Sequence, residues 1–167
     1  MSKFVPRVLL FLAASAVTLS ASAGVDVKFT APEHYKDIGR MGRDRDDALD
    51  DLQKIFQDLG QRYLAPNQTL RIEVLDVDLA GKDNVLRPPR SDVRVMRGMA
   101  DWPMIKLRYQ LQVDGATVSS GEETIADLAY QQSHLSNISN EPLYYEKQML
   151  DKWFVDRFSP AKNKGKR

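Results

Sequence analysis

The segment from Ile105 to Val113 restricts the fold more than any other part of the chain. Ile105, Leu107, Tyr109, Leu111 and Val113 alternate without exception with Lys106, Arg108, Gln110 and Gln112, the period of a strand with one buried and one wet face. Asp114-Gly115 follows at once. That dipeptide suits a two-residue turn whose central residues have positive φ, so it predicts a hairpin with a partner strand from Ala116 to about Thr124. The pairing would set Val113 opposite Ala116, Leu111 opposite Val118 and Lys106 near Glu123. A sheet with one apolar face needs another layer to cover it.

Two amphipathic helices supply that layer. From about Asp44 to Leu64, Ala48, Leu49, Leu52, Ile55, Phe56, Leu59 and Tyr63 recur at three- and four-residue steps, and Pro66 stops the run. Asp44, Asp46, Asp47, Asp50 and Asp51 crowd its first turns, where the positive end of the helix dipole favours them. A second helix is predicted to start around Asn140-Glu141-Pro142, with the proline at or near its first position. Tyr145, Met149, Leu150, Trp153, Phe154 and Phe158 form its apolar side.

The remaining strands are shorter or less regular. Val25, Val27 and Phe29 alternate with charged residues and mark a first strand ended by Pro32. In Leu70 to Leu79 (LRIEVLDVDL) the apolar positions change from even to odd near Val74 and Leu75, which requires a bulge or two covered faces. A further strand is predicted at Val93 to Met96, after a loop through Arg87-Pro88-Pro89-Arg90. The fold class expected is α+β: a two-layer sandwich with a mostly antiparallel sheet of four to five strands packed against two amphipathic helices, forming a single domain over 24–159.

The flanks carry different information. Lys3 and Arg7, the apolar run Val8 to Val17, and Ala21-Ser22-Ala23 have the order of a secretory signal peptide over 1–23, with mature protein beginning near Gly24. The apolar run is well short of the roughly 20 residues that span a bilayer, so no membrane span is expected after cleavage. Without a single cysteine, disulfides, thiol chemistry and cysteine metal sites are excluded. The whole chain has 24 basic and 23 acidic residues, a balance with no global pull toward nucleic acid or membrane. Residues 160–167 read as a disordered basic tail with four cations. It is either a solvated terminus or a contact for an acidic partner.

The sequence contains few residues that suggest chemistry. His34 and His134 are the only histidines, and neither lies in a nucleophile elbow or a zinc-helix spacing. Asp76, Asp78 and Gly81 occupy the first, third and sixth positions of a calcium-loop pattern, but Ala80 and Arg87 stand where two further ligands belong. Neither a metal nor a cofactor is therefore assigned. The alternative is structural: Asp76 and Asp78 accept bonds from backbone N–H groups of the turn and from Arg94 or Arg97. A carboxylate pair such as Glu146 with Asp76 or Asp127 has the chemistry for glycoside hydrolysis if the two converge. Glu146 lies at the edge of its helix's apolar stripe, so a buried carboxylate would need a partner, with Tyr130, Arg108 or a backbone N–H in reach. Trp102 is either a core residue at a strand entrance or an exposed aromatic for a partner.

DVDLAG at 76–81, WPMIKLRYQL at 102–111, ADLAY at 126–130 and Tyr144-Tyr145-Glu146-Lys147 before Trp153-Phe154 together resemble the blocks of the domain-of-unknown-function family 3016. The resemblance extends over about Val25 to Phe158 and implies an exported protein of Gram-negative bacteria with a periplasmic location. It implies no catalytic residue. The expectation is a small periplasmic, non-enzymatic binding or accessory module whose partner is an envelope protein or cell-wall component. The alternative is a metal- or glycan-dependent hydrolase using the carboxylates. Asp76, Asp78, Trp102, Asp127, Tyr130 and Glu146 are the candidate ligand or partner residues.

Overall fold

The structure is a computed structural model describing residues 24–39, 43–83, 94–97, 100–132 and 141–159. The signal segment, the Arg87–Arg90 loop, His134 and the basic tail lie outside the described residues. Strand β1 (Gly24–Phe29) leads through a short 3-10 turn to helix α1 (Arg43–Tyr63) and strand β2 (Gln68–Asp78). Two-residue strands β3 (Lys82–Asp83) and β4 (Arg94–Val95) precede β5 (Met104–Val113), β6 (Ala116–Ala126) and helix α2 (Tyr144–Phe158).

The main sheet has the order β1-β2-β5-β6, and both helices lie on one face of it, so the predicted α+β sandwich is observed. Its first pair is parallel. β1 and β2 run side by side from Gly24↔Thr69 to Phe29↔Val74, whereas β2–β5 and β5–β6 are antiparallel. The helix α1 between β1 and β2 makes this possible, because parallel neighbours need a long crossover. Among the described residues, the strand expected at Val93 to Met96 contributes β4, which pairs with β3 in a separate ribbon rather than joining the main sheet.

The core sits between sheet and helices. Leu70, Ile72 and Val74 of β2 and Ile105, Leu107 and Tyr109 of β5 face Leu52, Phe56 and Leu59 of α1 and Leu150, Trp153 and Phe154 of α2. The helices meet through Phe56 and Phe154, 6.5 Å between ring centroids, and through Asp151, which accepts bonds from Tyr63 Oη at 2.9 Å and Arg62 at 3.0 Å. Gly60 lets α1 pack close against the sheet: a Cβ there would lie 2.0 Å from Val25 Cγ2.

Two bulges set the register. The first falls between Val74 and Asp76, where the apolar phase of the sequence flips, so Val74 stays buried and Val77 re-enters the core opposite Ile105. Val74 O accepts the Thr30 N–H and the Tyr35 hydroxyl, each bond near 3 Å. Burial pushes the Tyr35 phenol up to about 12. The second bulge lies in the hairpin. Asp114 and Gly115 have φ of 51° and 81°, and Val113 opposes Ala116 as expected. Beyond them the register slips, so Leu111 meets Ser119 rather than Val118, and Lys106 meets Thr124 rather than Glu123. Val118 is the extra residue and is exposed, the usual place for a bulge on an edge strand. Helix α2 also starts later than its proline suggests: Pro142 lies in the preceding turn, and Leu143 precedes the helix in the left-handed conformation.

Candidate functional site

One end of the sheet gathers most of the candidate residues, because β2 ends there, β5 begins there and β6 ends there. Asp78, Met104 and Ala126 are register partners across the three strands. On the other side of β2, Asp37 completes the row as an isolated parallel bridge: its N–H donates to Val77 O and its carbonyl accepts from Leu79 N–H.

The turn that follows, Leu79-Ala80-Gly81, is held by groups from three directions. Arg94 enters it as a cation among carbonyls, donating to Ala80 O at 2.9 Å, Gly81 O at 2.7 Å and Leu79 O at 3.4 Å, and to the Asp37 carboxylate at 2.8 Å. Glu146 approaches from α2 and accepts the Ala80 N–H at 2.7 Å. Asp101 supplies a carbonyl for the Gly81 N–H, while its own carboxylate accepts from Arg97 N–H and the Tyr130 hydroxyl. Gly81 fits between these groups because its φ is +71° and a Cβ would lie 2.9 Å from Val95 O.

Two aspartates share the cations below the turn. Lys82 donates to Asp37 at 2.9 Å and to Asp78 at 2.7 Å, and Lys36 pairs with Asp78 from the other side. Burial alone would raise the Asp37 carboxyl, but Arg94 and Lys82 outweigh it and hold the group below the usual carboxylate range. Burial would likewise lower the Lys82 ammonium, and the two carboxylates raise it instead. Glu146 is the opposite case. It is 3% exposed with no cation in hydrogen-bond contact among the described residues, so burial raises its carboxyl despite the Ala80 N–H.

The six candidate residues divide by location. Asp76 accepts from the N–H groups of Lys36 and Val77 rather than from an arginine. Asp78 takes the two lysines; Arg94, one of the partners expected for these acids, goes to Asp37. Asp127 caps its own turn by accepting the Ala129 N–H at 3.0 Å. Tyr130 is buried and stacks edge-on against Tyr145, with centroids 4.8 Å apart. Glu146 takes the backbone N–H option, and Trp102 is half-buried beside Asp101. Among the described residues, no group of three or more His, Asp and Glu side chains could hold a metal ion.

Sequence reasoning passed over Asp37 and Asp101, and it named Glu123 only as a neighbour of Lys106. Glu123 points toward the helices beside Leu107, where it accepts the Trp153 Nε1–H at 2.9 Å and pairs with Arg157 at 2.8 Å. Its only signal was an acid in a strand next to another acid.

The opposite face of the sheet carries neither helix and, among the described residues, forms a groove of about 550 Å³ crossing all four strands. Lys28, Glu73, Arg108 and Glu122 form a ladder of alternating charge across it, with Arg108 bonded to Glu73 at 2.7 Å and to Glu122 at 2.9 Å.

Residues 23–156 match the family described as Protein of unknown function (DUF3016), and the chain belongs to that family. No curated protein and no solved structure matches the chain.

Proposed function

We propose that this chain is an exported, non-enzymatic protein that acts as a binding or accessory module of the cell envelope, located in the periplasm. The observation that carries this reading is the fate of the carboxylates. Asp76, Asp78, Asp127 and Glu146 each accept from a different internal donor, and their role is to fix turns and strand ends. Glycoside hydrolysis, the chemistry such carboxylates suit, ordinarily needs two of them aimed at one bond. Export is supported by the charged, apolar and small-residue order of 1–23. The family match begins at residue 23, next to the expected mature end at Gly24.

The test is fractionation of a Gram-negative host expressing the full chain with a C-terminal tag. The expected product is found in the periplasmic fraction and begins at Gly24 by intact mass. Met1 retained on a membrane-bound or cytoplasmic product would overturn export. Crosslinking in cells followed by affinity capture tests the binding half. A reproducible envelope component is expected, and capture of the tagged chain alone would overturn it.

A further inference from the structure

Two rows of side chains cross the open face of the sheet side by side, and they differ in one respect. In the row Lys28, Glu73, Arg108, Glu122 every charge has a partner: Lys28 to Glu73 at 3.9 Å, Arg108 to both glutamates, and Glu122 also to Lys106 at 3.0 Å. The neighbouring row is Asp26, Arg71, Gln110, Ser120, register partners on the same four strands. Asp26 and Arg71 are both exposed, and neither side chain makes a hydrogen bond or ion pair among the described residues. Gln110 donates through Nε2 to Thr117 at 2.9 Å, which leaves its amide oxygen as an acceptor. Ser120 adds an exposed hydroxyl. All four line the groove.

The chemistry of this row selects one class of ligand. A simple anion at Arg71 would sit beside the Asp26 carboxylate, and a simple cation at Asp26 beside the guanidinium, so each meets a charge of the wrong sign. A zwitterion satisfies both. Strand neighbours lie about 4.8 Å apart, a spacing that suits an ammonium and a carboxylate on the same carbon atom. A guanidinium also takes a carboxylate with two parallel bonds. The rest of such a ligand would extend toward Gln110 and Ser120, roughly 10 and 14 Å from Asp26 at the same strand spacing. There an amide oxygen and a hydroxyl await N–H and C=O groups. The groove volume lies within the usual range for small-molecule sites.

Resting on the binding-module reading, we propose that the open sheet face binds an α-amino-acid head with a polar, amide-bearing chain. Its carboxylate lies on Arg71, its ammonium on Asp26 and its amide at Gln110, with any residue joined to that amide reaching Ser120. Free glutamine and a γ-glutamyl peptide end share this chemistry, and both serve as probes.

The experiment is an NMR titration of the mature chain with L-glutamine and with γ-glutamylalanine. Expected are saturable amide shifts confined to the Asp26–Ser120 row and its neighbours on β1, β2, β5 and β6. Tighter binding of the dipeptide would assign the site to peptide ends, and tighter binding of glutamine to the free amino acid. N-acetylglutamine and isoglutamine, which each lack one charge of the head, should bind about tenfold more weakly or worse. Arg71→Ala and Asp26→Asn should do the same with unchanged melting temperature, since both side chains are exposed. No saturable shift up to about 10 mM of either probe, shifts elsewhere on the molecule, or equal binding by the blocked compounds would overturn the proposal. A chain that is exported and captures an envelope component but gives no shifts refutes this ligand and leaves the binding-module reading standing. Shifts from a chain retained in the cytoplasm do the reverse.

Discussion

Arg94→Ala removes the cation that enters the 79–81 turn, and its effect can be estimated from the bonds it makes. Three carbonyl oxygens lose their guanidinium donor, and Asp37, with a side chain 15% exposed, keeps only Lys82 and the Gly39 N–H among the described residues. Hydrogen bonds to charged groups contribute about 1.5–3 kcal/mol each, but bonds sharing one donor do not add. Breaking a buried pair costs about 3–5 kcal/mol. The remaining lysine and the partial exposure of both partners place Arg94→Ala near the lower end, about 3 kcal/mol. For a domain of this size that is a fall in melting temperature of roughly 10 °C.

Urea unfolding followed by circular dichroism should show a lower midpoint with an unchanged slope. Arg94→Lys should recover little, because an ammonium cannot reach three carbonyls and a carboxylate with the geometry of the fork. The acid limb gives an independent reading. A carboxyl held below its unfolded value contributes stability that is present above that unfolded value and is lost as pH falls through the folded one. Without Arg94, the folded Asp37 value rises toward or past the unfolded one. The Arg94→Ala deficit should therefore be largest near neutral pH and shrink on acidification. A fall of less than about 2 °C, or an Arg94→Lys protein as stable as wild type, would refute the clamp.

Other perturbations probe separate parts of the fold. Gly115→Val should lower stability by roughly 1 kcal/mol or more through backbone strain alone: the site has φ +81° and a Cβ added there would meet no atom within 4 Å, and an unchanged melt would argue against the turn. Gly60→Ala, which elsewhere in a helix would stabilise by about 1 kcal/mol, should instead destabilise by about 1–3 kcal/mol through its clash with Val25. Adding Val25→Ala should restore part of that loss, and a stabilised single variant would contradict the close approach. Glu146 has a carboxyl raised by burial, so its contribution is fully present below the ordinary carboxyl range and is lost as pH rises through the folded value. Wild type should gain most over Glu146→Gln at acid pH and least at neutral pH, and the reverse trend in paired melts would sink this assignment. Calcium should leave the wild-type melt unchanged, because lysines already hold Asp78; a shift at micromolar free ion, abolished by Asp76→Ala, would reverse that view.

What could be read in the sequence was whatever a local period carries. The β2 bulge was legible because the apolar positions change phase at Val74, and a strand cannot bury both phases on one face without an extra residue. The hairpin bulge was not, because ATVSSG has no apolar alternation to lose its place. The Asp114-Gly115 turn fixed only the first two pairs, Val113 with Ala116 and Gln112 with Thr117. Glu146 could be singled out because an acid at the edge of an apolar stripe contradicts its surroundings. Asp37 could not, because a lone aspartate in a polar loop contradicts nothing. Its importance arises only when Arg94 arrives from 57 residues away.

The same distinction explains why the DVDLAG block looks like a ligand site and is better understood as a clamped turn. Each chemically distinctive position in it meets a separate geometric demand. Asp76 ties the bulge to the N–H groups of Lys36 and Val77. Asp78 balances two ammonium groups at the end of the strand. Ala80 offers a buried N–H to Glu146, and Gly81 takes the positive φ that lets Val95 approach. Acid, acid and glycine at this spacing are also what a calcium loop requires, but in this protein neither acid faces the cation at the centre of the turn. Here the cation is the guanidinium of the protein's own Arg94, bound by the carbonyls of the turn and by Asp37. The polar groups at this end of the sheet are therefore engaged with one another, and Asp26 and Arg71, whose side chains have no partner among the described residues, lie on the open face of the sheet, which neither helix covers.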